Sequence, residues 1–254
     1  MALLHMHFKS PTLVMQTNVT VVLPESEQLF TSRTNTKLKT LYLLHGLSND
    51  SSIYTRFTNI ERYASNRNVA VVMPSVDHSF YADMKYGHNY FSFVQKELRT
   101  FMLNVLPLSD KREDNFVAGH SMGGYGAFKL ALTNPELFSA AASLSGAMDI
   151  NRFLQDGVFN GFNAKSIFGE VDSLKDTEHD LYKLLKDRQS EQAVLPKLLQ
   201  MCGTEDYLYE DNVNFKNYAL SLKTDLDYRE GPGDHNWEYW EYAIKEVMDW
   251  LPLD

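Results

Sequence analysis

The chain has 254 residues, with 24 lysines and arginines against 33 acidic residues and a net charge of −9. No long run of like charge occurs, which speaks against a nucleic-acid surface. A single cysteine, Cys202, allows no internal disulfide or cysteine metal pair and favours a reducing compartment. The N-terminus lacks a basic start followed by an apolar core, and no apolar run is long enough to span a bilayer. These features predict a single α/β domain over residues 1–254, cytoplasmic and not held in a membrane.

Residues 8–23 end in the β-branched run Asn18-Val-Thr-Val-Val-Leu23 and are predicted to be antiparallel edge strands. The polar stretch 24–37 reads as a hairpin loop. Residues 38–44 form the next strand, which runs directly into His45-Gly-Leu-Ser-Asn-Asp50. A glycine just past the carboxyl end of a strand lets backbone N–H groups turn inward, where an oxyanion would need them. Ile53, Phe57, Ile60 and Tyr63 fall at three- and four-residue steps and predict one helix over 51–66. A central strand at 69–73 is stopped by Pro74. The Tyr-, His- and Gly-rich segment 77–89 follows the carboxyl end of that strand and is expected to line a site. Residues 90–106 read as an amphipathic helix closed by Pro107.

The stretch Asn115-Phe-Val-Ala-Gly-His-Ser-Met-Gly-Gly-Tyr-Gly-Ala-Phe128 organises the chain. Its apolar strand pattern changes to helical periodicity at Ser121, within the spacing G-x-S-x-G. Such an elbow lifts a strained serine hydroxyl above the sheet edge, and a Cβ at either flanking glycine would strike the neighbouring strand or helix. A phosphate-binding turn would need G-x-x-x-x-G-K-[ST] or G-x-G-x-x-G, which is absent.

Beyond the elbow, residues 140–146 form a small-residued strand. Residues 147–195 interrupt the strand–helix alternation with Phe153, Phe159, Phe162, Ile167 and Phe168, followed by a charged helix near 180–188. This is predicted to be an insertion over the active-site edge of the sheet. A strand at 197–202, a helix at 211–223, a strand at 225–229 and a helix at 236–250 complete a mostly parallel sheet covered on both faces.

A serine hydroxyl needs a general base and a group that holds the tautomer of that base. Only His179 and His235 follow Ser121. His179 lies in a charged helix start, where a solvated or capping role fits, whereas His235 sits on a Gly-Pro-Gly loop after the last strand and is assigned as the base. Glu205 and Asp206 are the candidate acids. Asp206 is preferred for its short, rigid tether, while Asp234 is expected to point away from its neighbour His235 and Asp211 to cap a helix. His120 reads as a packed spacer, and His45 as a residue that holds the loop backbone in shape. His5 and His7 alternate on a strand without a third ligand, and no metal is assigned. Cys202 reads as a small buried apolar residue.

Taken together, Tyr42-Leu-Leu-His-Gly46, Gly119-His-Ser-Met-Gly-Gly-Tyr-Gly126, Cys202-Gly-Thr-Glu-Asp-Tyr-Leu-Tyr209 and His235-Asn-Trp-Glu-Tyr-Trp240 resemble the esterase D-like family of α/β-hydrolases, with the bacterial tributyrin esterases as the nearest match. The resemblance runs over nearly the whole chain and includes Val72-Met-Pro74, Tyr86-Gly87 and Phe168-Gly-Glu170. It implies the α/β-hydrolase fold, a Ser121–Asp206–His235 triad, oxyanion donors at the Leu47 and Met122 N–H groups, and no cofactor. One departure is Tyr54, where relatives often carry tryptophan, a difference that bears on the pocket wall. The leading expectation is a serine carboxylesterase acting on small, short-chain acyl esters through an acyl-enzyme. An acyltransferase, an acetyl or feruloyl carbohydrate esterase, a thioesterase like the S-formylglutathione hydrolases, and a non-catalytic binding module are the alternatives. A homo-oligomer is compatible with the sequence.

Overall fold

The computed structural model describes residues 1–31, 35–152, 163–170 and 172–253. Eight strands form one sheet in the order β1-β2-β4-β3-β5-β6-β7-β8. These are β1 (Ala2–Ser10), β2 (Met15–Leu23), β3 (Lys39–Leu44), β4 (Val69–Pro74), β5 (Asn115–His120), β6 (Ala140–Leu144), β7 (Lys197–Gly203) and β8 (Leu226–Gly231). The β1·β2 and β2·β4 pairs are antiparallel, and every other pair is parallel. This is the α/β-hydrolase arrangement.

The central strands β3 to β7 are buried on both faces because their side chains alternate between two apolar cores. Tyr42, Leu44 and Val117 point into one core, with the helices Met122–Thr133, Leu181–Ser190 and Tyr209–Ser221. Leu41, Leu43, Phe116 and Ala118 point into the other, against the helices Ile60–Arg67 and Trp237–Trp250. The helix Met122–Thr133 is buried from Met122 to Leu132, as expected of a helix wedged between the sheet and the segments that follow β4 and β6. No helix among the described residues is long and apolar enough to cross a membrane.

Several predicted elements change. The edge hairpin begins at Ala2 instead of residue 8. Stretch 24–37 contains the short helix Glu27–Thr31 and is no hairpin loop, because β2 pairs with β4 while β3 lies beyond it. The single helix expected over 51–66 is two, Ile53–Phe57 and Ile60–Arg67, separated where the Thr58 backbone is extended. Helix 90–105 is interrupted by a π-helical stretch at Phe93–Leu98. Asp211 lies inside the first turn of Tyr209–Ser221 and is not its cap: its carboxylate meets the guanidinium of Arg152. Of the predicted insertion, Phe153, Phe159 and Phe162 lie outside the described residues. Within its described part, the helix Ala164–Phe168 is tied to segment 77–89 by Lys85 N–H to Ile167 C=O (2.8 Å) and Tyr86 N–H to Ser166 C=O (2.9 Å).

Candidate active site

Parallel strands deliver the residues after them to one edge of the sheet. Leu44 pairs with Gly119, so the loop after β3 emerges directly beside the turn after β5. The loops after β7 and β8 start from paired Gly203 and Gly231 and reach back across the end of β6.

Ser121 has φ 54° and ψ −120°, the strained conformation expected of an elbow. The flanking glycines are required: a Cβ on Gly119 would sit 2.4 Å from Gly123 O, and one on Gly123 would sit 2.2 Å from Leu44 O. Ser121 Oγ lies 3.0 Å from His235 Nε2. The other ring nitrogen, Nδ1–H, donates to both Asp206 carboxylate oxygens at 3.0 and 2.9 Å. Asp206 also accepts the Leu208 N–H at 2.8 Å, and its side chain is fully buried. A buried carboxylate is tolerated because donors surround it.

The other candidate acids have different partners. Asp234 Oδ1 accepts the backbone N–H of His235 at 2.7 Å, so it shapes the loop and does not touch the imidazole. Glu205 is exposed and accepts the Gly233 N–H and the Thr204 hydroxyl, which lower its pKa in that order. With Glu205 N–H donating to Gly233 C=O at 3.0 Å, it straps the β7 loop to the β8 loop. His179 is mostly buried, with side-chain exposure of 13%, and its ring pairs with Lys129 and not with Ser121. Its Nδ1 accepts from Lys129 Nζ at 3.1 Å, and burial, followed by the Lys129 charge, pushes its pKa down to about 4. Lys129, buried in the elbow helix, also donates to Tyr81 C=O at 3.1 Å, and burial pushes its pKa down to about 7.

His45 does hold the loop. Its Nδ1–H donates to Gly46 C=O at 2.7 Å while Nε2 accepts the Val76 N–H at 3.0 Å, and burial lowers its pKa to about 4. The N–H groups of Leu47 and Met122 engage no other described residue; Met122 opens its helix, where N–H groups lack intrahelical acceptors. Cys202 is fully buried.

A cleft of about 170 Å³ opens beside Ser121 and His235, with Leu47, Asn49, Tyr207 and Trp237 in its walls. The Tyr207 ring lies 4.5 Å from that of His235, and Trp240 approaches the imidazole edge-on at 4.9 Å. Tyr54 is no part of that wall; it is fully buried behind it and meets Trp237 edge-on at 5.6 Å. Trp237 and Trp240 were detectable as one face of the last helix by their three-residue spacing, whereas Asn49 and Tyr207 carry no such signal.

A family model described as "Putative esterase" matches residues 10–251. An acetyl esterase from Caldicellulosiruptor saccharolyticus is 31% identical over 261 residues, covering 99% of this chain and 98% of that protein. Two solved Staphylococcus aureus structures are each 45% identical. The fluorophosphonate-binding serine hydrolase FphF has a TM-score of 0.95, covering 100% of this chain and 98% of that one. The S-formylglutathione hydrolase FrmB has a TM-score of 0.91, covering 100% and 99%. The chain therefore belongs to this esterase family, as a serine hydrolase of the α/β-hydrolase fold.

Proposed function

We propose that the protein is a serine carboxylesterase that hydrolyses short-chain acyl esters through an acyl-enzyme, with Ser121 as nucleophile, His235 as general base and Asp206 as the acid that holds the tautomer of His235. The observation that carries this reading is the continuous contact from Ser121 Oγ through His235 to the buried Asp206 carboxylate. His235 Nε2 takes the Ser121 proton as Oγ attacks the ester carbonyl, and the resulting oxyanion is met by the Leu47 and Met122 N–H groups. The imidazolium returns the proton to the leaving alkoxide, leaving an acyl-serine and an alcohol. Water, deprotonated by His235, then releases the acid and restores Ser121.

The compact cleft supports a small acyl group, since about 170 Å³ is well below the few hundred Å³ of sites for larger ligands. The Phe80 ring, 5.9 Å from that of Tyr125 and 6.5 Å from that of Phe168, supports a rigid boundary on the insertion side. Thioester hydrolysis is the second reading, favoured by the 45% identity to an S-formylglutathione hydrolase.

The test is a series of p-nitrophenyl esters from acetyl to decanoyl, run beside acyl thioesters with wild type and Ser121→Ala. The expected result is a kcat/KM maximum between acetyl and butyryl and a loss of about 10⁴-fold in the variant. A monotonic rise through decanoyl would refute the short-chain assignment, and undiminished turnover by Ser121→Ala would refute the nucleophile. A kcat/KM for thioesters above that for matched oxygen esters would select the second reading.

A further inference from the structure

His120, the last residue of β5, precedes the proposed nucleophile and backs the cleft, yet its side chain is fully buried and its ring hydrogen bonds go to Gly46, Tyr54 and Asn49. Its Nε2 accepts the Gly46 N–H at 3.2 Å. Its Nδ1–H donates to the Tyr54 hydroxyl at 2.8 Å, and that hydroxyl donates to Leu44 C=O at 3.3 Å. Only one tautomer serves this chain, because Gly46 offers a hydrogen and Leu44 can only accept one. Asn49 Oδ1 lies 3.0 Å from the same Nε2; in that tautomer the carboxamide must turn so that its NH₂ faces the ring. Burial holds the His120 pKa well below its ordinary value, so the acceptor nitrogen is kept free of a proton.

The peptide unit gripped here leads directly into a proposed oxyanion donor. Its other end, His45 C=O, accepts the Tyr81 hydroxyl at 2.9 Å. The next unit is held at Gly46 C=O by His45 Nδ1–H, and since the peptide is planar and trans, the Leu47 N–H points the opposite way. The other donor, Met122 N–H, lies two residues along the chain from His120. A Cβ on Gly46 would sit 2.6 Å from His120 Nε2, so loop and ring are in close contact.

We propose that His120 is a positioning residue that locks the Gly46–Leu47 loop to the nucleophile elbow and sets the separation of the two oxyanion donors, with the Tyr54 hydroxyl fixing its tautomer. This rests on the esterase reading of the site. It repeats, in a buried and uncharged form, the relation of Asp206 to His235: a neighbour on one ring nitrogen decides what the other can do. Without the Tyr54 hydroxyl, the proton is free to move to Nε2, where it would face the Gly46 N–H donor to donor and push the loop away.

The test is a double-mutant cycle between Tyr54→Phe and His120→Gln, with His120→Leu as the deletion. The glutamine oxygen can accept the Gly46 N–H and has no tautomer to lose. His120→Leu should lower kcat by about tenfold to a hundredfold with KM little changed, and weaken a trifluoromethyl ketone inhibitor by the same factor, because misplaced donors affect the charged tetrahedral state most. His120→Gln should keep kcat within a few-fold of wild type. Tyr54→Phe should cost about tenfold alone and almost nothing in the His120→Gln background. Thermal unfolding of each variant confirms that it is folded. A kcat for folded His120→Leu within twofold of wild type would overturn the proposal, as would an equal cost of Tyr54→Phe in both backgrounds. Failure of the esterase reading is separate, since it would show as full activity in Ser121→Ala.

Discussion

The loops after β7 and β8 and those after β3 and β5 both hold histidines at the same sheet edge, but in opposite ways. In the first pair, His235 retains side-chain exposure of 12% and its Nδ1–H meets a carboxylate. In the second, His45 and His120 are fully buried and bond only backbone, hydroxyl and amide groups. An imidazole facing an anion can accept a proton during a reaction because its positive form is stabilised there. One sealed among neutral dipoles stays neutral and serves as a fixed donor and acceptor. In the proposed mechanism, burial and the charge of the partner, more than proximity to the serine, separate proton transfer from the positioning of backbone.

The sharpest way to break this contrast is to remove charge on the first side. Asp206→Asn keeps the shape but favours the wrong tautomer of His235, and kcat should fall by about 10³ to 10⁴. Glu205→Gln weakens only the strap to Gly233 and should cost less than about tenfold. Steady-state kinetics of the two variants decide, and the reverse ranking would make Glu205 the acid.

On the second side the test is steric. Gly46→Ala would place a Cβ 2.6 Å from His120 Nε2 and 3.3 Å from Ser121 Cβ, displacing the loop. Its kcat should fall by about tenfold to a hundredfold, with a smaller change in KM. Equal losses in kcat and in ground-state binding would show that the loop contacts substrate instead of aiming a donor.

A smaller effect concerns acid stability. Burial depresses the His45 pKa to about 4 in the folded chain, against an unfolded value of about 6.5. The unfolded chain therefore binds more protons between these values, and the contribution of this residue to stability, complete above pH 6.5, is lost as pH falls toward 4. The gap in melting temperature between wild type and His45→Gln should narrow across that window. A gap independent of pH would mean that the ring does not titrate on unfolding.

The placing of Ser121, Asp206 and His235 at one sheet edge was legible in the sequence to the extent that its signals are local. The elbow announces itself by a change of period at Ser121, Asp206 follows the apolar run that ends at Cys202, and His235 follows a Gly-Pro-Gly turn. Strand order was not legible: β2 pairs with β4 through contacts such as Val21 with Val72, which no local pattern encodes. The role of His120 was missed for the same reason, since Gly46 lies 74 residues away and a buried histidine in an apolar strand looks like packing. Asp211 looked like a helix cap because its partner, Arg152, is 59 residues distant. His45 was read correctly because its main partner is the next residue along the chain.

The most direct measurement is the site and stoichiometry of a fluorophosphonate adduct, mapped by peptide mass spectrometry. The probe reports the activated state of a serine without requiring the natural substrate, and Asp206→Asn and His235→Ala can be compared with wild type at equal time. The account predicts one adduct per chain, on Ser121, formed at least about a hundredfold more slowly in both variants. An adduct on another residue, or labelling of Ser121 at the wild-type rate after loss of His235, would contradict it.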